Sequence, residues 1–161
     1  SLRKAISGIT SNYTCDAHPF NRPGKAEGEL IGGNISLVAH LIGSISSFQT
    51  KGKILFLEDV GEYIYHIDRM LIQLKRSGML DHLAGLMIGG FTEMKDTSIP
   101  FGTDVFSVIH SHIKDYHYPV CFDFPVSHAK NNYALKVGVQ HLLKVSKEKV
   151  VLKENLFPGV F

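Results

Sequence analysis

Hydrophobic positions along the chain recur with two periods, about two and about three to four residues, which mark strands and helices. The run Ile54-Leu55-Phe56-Leu57 in "KILFL" is apolar at every position, the pattern of a strand buried on both faces. "EGELIGGN" and "LAGLMIGGF" predict two more strands, each ending in glycines. "YPVCFDFPV" predicts a further buried strand, with Pro119 suited to its start. From Asn34, a plausible N-cap, Ile35, Val38 and either Ala39 or Ile42 fall at helical spacing, and Gly43 ends the pattern. The clearest helix runs from Gly61 to Ser77, with Ile64, Ile67, Met70, Leu71 and Leu74 on one face. Lys75 and Arg76 fill its last turn, and Gly78 is placed to cap it. "TEMKDTSIPFG" reads as a loop, and Asp104 opens a third helix that turns Val105, Val108, Ile109 and Ile113 inward. From Tyr133 to Glu154 the pattern alternates by two around Ser146-Lys147-Glu148, which predicts a hairpin.

Strands alternating with helices, followed by hairpin strands, predict an α/β fold. Its mixed sheet, open or curled into a barrel-like form, carries packed helices and a C-terminal hairpin. The 161 residues suffice for one domain with a substantial core. At 44% hydrophobic and 20% charged residues the composition is that of an ordinary globular domain. A net charge of +2 gives no electrostatic case for nucleic acid or an anionic membrane as partner. No apolar run approaches the roughly 20 residues of a membrane span. Cys15 and Cys121 fit no metal or redox spacing and suit a reducing compartment. The chain opens at Ser1, without Met, directly into "LRKAIS"; the expectation is a cut piece whose partner domain is missing.

In folds of this kind reactive residues gather at strand ends. "ILFLEDVGE" places two carboxylates, Glu58 and Asp59, at the rim of an apolar strand. Asp59 and Glu62 have capping-box spacing, which accounts for them as helix-start residues. Glu58 is left over. His128, in "FDFPVSHAKNN", also follows a buried strand. A glutamate accepting from one imidazole nitrogen leaves the other free as a general base, two-thirds of a nucleophile triad. No attacker accompanies them. There is no G-x-S-x-G elbow; Ser127 adjoins His128 and points away from it; Ser36 and Ser44 lie on or after a helix; neither cysteine has a setting that lowers its pKa. Gly32-Gly33-Asn34 at a helix start could hold an anion such as a substrate carboxylate, or form only a tight turn. Among nine histidines, His110, His112 and His117 lie close in sequence, but i and i+2 on a helix do not face one another. A solvated helix face is expected there rather than a metal site.

Taken together, "GELIGGN", "KILFLEDVGEYIYHIDRMLIQLKRSG", "LAGLMIGGF" and "FPVSHAKNNYALKVG" resemble the LD-carboxypeptidase family, serine peptidases of murein recycling that include the microcin C self-immunity hydrolases. The resemblance spans most of residues 28 to 138 in the family's order. It implies the C-terminal domain of a two-domain cytoplasmic enzyme whose N-terminal domain carries the serine. It further implies Glu58 and His128 as the catalytic glutamate and histidine, and Gly32, Gly33 and Asn34 as a turn bordering the substrate. Murein tetrapeptide is the implied substrate, D-alanine the leaving group, and the enzyme is expected to be a homodimer without metal or organic cofactor. Two departures stand out: Ser127 where the family often has glycine, and Lys136 where a proline is common. The alternatives are a hydrolase of microcin C-like peptidyl or aminoacyl nucleotides, and a non-catalytic binding domain of the same fold.

Overall fold

The computed structural model describes residues 1–155. The element order is α1 (Leu2–Ile6), β1 (Asn12–Asp16), β2 (Gly24–Asn34), α2 (Ile35–Leu41), β3 (Ile54–Val60), α3 (Ile64–Arg76), β4 (Gly85–Thr92), α4 (Val105–Ile113), β5 (Val120–Cys121), β6 (Gln140–Val145) and β7 (Lys149–Glu154). One seven-stranded mixed sheet has the order β1-β7-β6-β2-β3-β4-β5. Strands β2 to β5 pair in parallel, and β2, β6, β7 and β1 pair antiparallel. The sheet is not closed into a barrel. Its edge strands β1 and β5 do not pair, and the two flanks approach only through an isolated bridge between Arg22 and Val120.

The apolar run of β3 is divided between two cores, as side chains alternate across a strand. Leu55 and Leu57 face a cluster with Ile67, Leu71 and Leu74 of α3 and Val108, Ile109 and Ile113 of α4. Ile54 and Phe56 face a second cluster with Leu143, Val145, Val150 and Leu152 of the hairpin. Both faces of the parallel strands are therefore covered, so these segments read as continuous hydrophobic runs.

The helix signals act as the sequence predicts in α2 and α4. Asn34 accepts from Leu37 N–H at 3.3 Å, and Asp104 from Ser107 N–H at 3.0 Å. Gly78, just past α3, has φ +76°, the left-handed conformation that suits glycine. Three expectations need correction. Helix α3 starts at Ile64 with Tyr63 before it, so Asp59 is not its cap; Asp59 lies within β3. The strand over Tyr118–Val126 shrinks to Val120–Cys121, because Pro119 and Pro125 lack an N–H and Asp123 has φ +53°. The hairpin occupies only residues 140–154, and Tyr133 to Val139 form a loop.

Candidate functional site

The parallel strands β2, β3 and β4 end together, and the candidate residues lie there. Asn34, the last residue of β2, is in register with Glu58 of β3. Glu58 and Asp59 are both buried within β3, at a shift in its register with β4 between Leu57 and Asp59. His128 lies on the loop that follows β5 and meets Glu58 across β4: its Nδ1 stands 2.9 Å from Glu58 Oε2. The two residues are 70 positions apart in the chain. An ionised carboxylate can only accept, so Nδ1 carries the hydrogen and Nε2 presents its lone pair. The imidazole is open to solvent, its side chain 54% exposed against 10% for Glu58.

Two glycines that sequence reasoning passed over make this meeting possible. A Cβ on Gly89 would overlap the carbonyl oxygen of Val126 and stand 3.1 Å from Glu58 Cβ. A Cβ on Gly90 would stand 2.7 Å from Ser127 Cβ. Gly90 N–H donates to Val126 O at 3.0 Å, which docks the His128 loop directly on β4. Glycine pairs inside a buried strand mark such close backbone approach, so "MIGGF" held the signal. The loop is further closed by Asn132, which donates to Ser127 O at 2.6 Å, and by Ser127 Oγ, which accepts from Ala129 N–H at 3.0 Å.

Burial pushes the Glu58 carboxyl above its ordinary value, although the adjacent imidazole opposes the shift; Asp59 adds to it, and the Asn34 amide opposes it. Asp59 accepts from Asn34 Nδ2 and Ser36 Oγ, each at 2.8 Å. Gly32 serves the backbone: its φ is +125°, and a Cβ there would overlap the Phe56 carbonyl oxygen. Gly33 has open space where a side chain would stand, so a ligand can approach its backbone.

The other reactive side chains are engaged elsewhere. Burial pushes the Cys15 thiol up to about 11 and the fully buried Cys121 thiol also well above its ordinary value. Among the described residues no serine, threonine or cysteine hydrogen-bonds to His128. The helix histidines are packed rather than merely solvated: His112 Nε2 lies 2.7 Å from Asp68 Oδ1, and His110 stacks on Phe20 with centroids 4.6 Å apart. Among the described residues no group of three or more His, Cys, Asp and Glu could hold a metal ion. Nor is any helix among them long and apolar enough to cross a membrane.

An open α/β domain that presents an imidazole bonded to a buried glutamate at its strand ends has the form of a hydrolase half-site. Residues 27–143 match the family described as LD-carboxypeptidase C-terminal domain, and the chain belongs to that family. It is 32% identical over 161 residues to a probable murein peptide carboxypeptidase of Bacillus subtilis (strain 168), covering 99% of this chain and 50% of that protein. The crystal structure of muramoyltetrapeptide carboxypeptidase from Oxalobacter formigenes superposes with TM-score 0.86 at 29% identity, over 98% of this chain and 54% of that one. The microcin C7 self-immunity protein MccF, solved with glutamyl sulfamoyl guanosine, shares the fold at TM-score 0.73 and 22% identity, over 88% of this chain and 41% of that one. The chain thus spans about half the length of the carboxypeptidases it matches.

Proposed function

We propose that this chain is the C-terminal domain of a two-domain serine carboxypeptidase that removes the terminal D-alanine from a murein tetrapeptide. The reading is carried by the 2.9 Å bond between His128 and Glu58. Glu58 holds the imidazole with Nδ1 protonated, and Nε2 faces outward as the base. A serine of the N-terminal domain attacks the carbonyl carbon of the L–D peptide bond while His128 Nε2 takes its proton. As the tetrahedral intermediate collapses, His128 passes that proton to the leaving D-alanine amine, and Glu58 stabilises the transient imidazolium. Water then hydrolyses the acyl-enzyme, with the same imidazole as base. Gly32, Gly33 and Asn34 border the substrate beside Glu58. A binding module without chemistry would have no use for an exposed imidazole locked in one tautomer by a buried carboxylate.

The test uses the chain alone and the two-domain enzyme. The chain should melt cooperatively yet release no D-alanine from murein tetrapeptide; the two-domain enzyme should release it, and His128→Ala should abolish that release. Turnover by the chain alone, or a His128→Ala enzyme near the wild-type rate, overturns the reading.

A further inference from the structure

Asp59 stands next to the proposed orienting carboxylate and is buried as deeply, 4% exposed against 7% for Glu58, but has no part in the reaction above. Both of its oxygens are engaged. Oδ1 accepts from Asn34 Nδ2 at 2.8 Å and from Val60 N–H at 2.7 Å, and Oδ2 accepts from Ser36 Oγ at 2.8 Å. Asn34 is fixed at its other end as well, where its Oδ1 accepts from Leu37 N–H at 3.3 Å. A side-chain amide has two nearly isosteric orientations, exchanging its oxygen and its NH2 group. Here an acceptor-only carboxylate faces the NH2 and a backbone donor faces the oxygen, so a single orientation satisfies both. The same amide reaches the Glu58 carboxyl and favours its ionised form.

We propose that Asp59 is a positioning residue for the catalytic base: through Asn34 it holds the Glu58 carboxylate in the orientation that meets His128 Nδ1. This rests on the reading of Glu58 and His128 given above. The side chains then form one path, Ser36 to Asp59 to Asn34 to Glu58 to His128, from the first turn of α2 to the imidazole. Asn in place of Asp59 would bring an NH2 group toward partners that are all donors, so at least one contact is lost and Asn34 is free to turn over.

The experiment is a double-mutant cycle in the two-domain enzyme, at enzyme concentrations high enough to resolve the Glu58→Gln rate. Asp59→Asn alone should lower kcat by about 10- to 100-fold, the scale of a roughly 1 Å misplacement of a catalytic group, with KM changed by less than about threefold. In the Glu58→Gln background the same substitution should cost less than about threefold, because the group it positions is gone. An Asp59→Asn enzyme that melts like wild type and keeps its kcat overturns the inference. So does an equal loss in both backgrounds, the mark of a general structural role. Glu58→Gln near the wild-type rate overturns the proposed function instead, so the two failures are distinct. If Asp59→Asn does not melt cooperatively, Asn34→Ser keeps a capping oxygen but removes the amide. It should lower kcat in the wild-type background and not in the Glu58→Gln background; full activity, or equal losses in both, overturns the proposal.

Discussion

Gly90→Ala is the smallest change that should separate His128 from Glu58. Gly90 is not among the residues with positive φ, so alanine suits its backbone and the effect comes from space alone. The new Cβ would stand 2.7 Å from Ser127 Cβ and 3.0 Å from Ser127 Oγ, where ordinary contact needs 3.4 Å or more. Ser127 must therefore retreat by about 0.7–1 Å, and His128 is the next residue. Added to the present 2.9 Å, that retreat takes the Nδ1–Oε2 distance to about 3.6–3.9 Å, beyond hydrogen-bond reach. A catalytic group displaced by about 1 Å costs on the order of 10²-fold in rate. Overpacking at a buried site costs about 1–3 kcal/mol of stability. The assay is kcat/KM for D-alanine release by the two-domain enzyme, with a thermal melt of each variant. Ser127→Gly removes the atoms that clash, so the Gly90→Ala, Ser127→Gly double variant should recover most of the lost rate. A folded Gly90→Ala enzyme with wild-type kcat would refute the reasoning, and so would a double variant no faster than the single one.

Glu58→Gln should lower kcat by on the order of 10⁴, about 5 kcal/mol of barrier at roughly 1.4 kcal/mol per tenfold. Because the folded carboxyl is raised above its ordinary value, its ionised form costs stability at neutral pH; the variant should melt higher than wild type at pH 7, and a lower melt counts against that. His141 is fully buried and its pKa is lowered by burial from 6.5. The unfolded chain therefore binds more protons below about pH 6.5, and the melting temperature should fall with pH from there down, a fall that His141→Gln should reduce. Glu154 is buried too, but Ser11 and Lys136 outweigh that and lower its pKa from 4.5. Its contribution is present above about pH 4.5 and lost as pH falls through the folded value, so Lys136→Met should melt lower at pH 7, with the gap narrowing in acid.

How much of this was legible in the sequence depends on how local each cause is. Helices α3 and α4 were readable because their stripes and caps lie within a few residues of one another; Asp104 and Gly78 act as their neighbourhood predicts. Strand β1 escaped notice because it is a half-exposed edge strand, alternately exposed and half-buried, held by pairing with β7 more than 130 residues away. Glu58 and His128 were recognisable as candidates from their places after apolar strands and from family resemblance. Their contact was not, since it depends on β4 carrying two glycines where the loop crosses it.

Asp59 shows most clearly where local rules stop. Its spacing to Glu62 is that of a capping box, yet its donors are Asn34 and Ser36, 25 and 23 positions upstream. Glu62 behaves locally, accepting from Tyr63 N–H at 2.9 Å and facing His66 Nδ1 at 2.7 Å. Consecutive side chains of a strand point to opposite sides, so two adjacent acids in β3 cannot share one environment. Glu58 turns toward β4 and the His128 loop, and Asp59 turns toward the start of α2. Neither has a lysine or arginine partner among the described residues; the Glu58 ion pair is with His128 alone. Burying two adjacent carboxylates without a permanent cation is costly unless hydrogen bonds compensate them. The compensation falls unevenly. Asp59 receives three donors, whereas Glu58 has an imidazole and a raised pKa. A carboxylate that only stabilised the fold would be satisfied as Asp59 is. Glu58 is left with its strongest partner half in solvent, the arrangement in which the charge on that imidazole can change during a reaction.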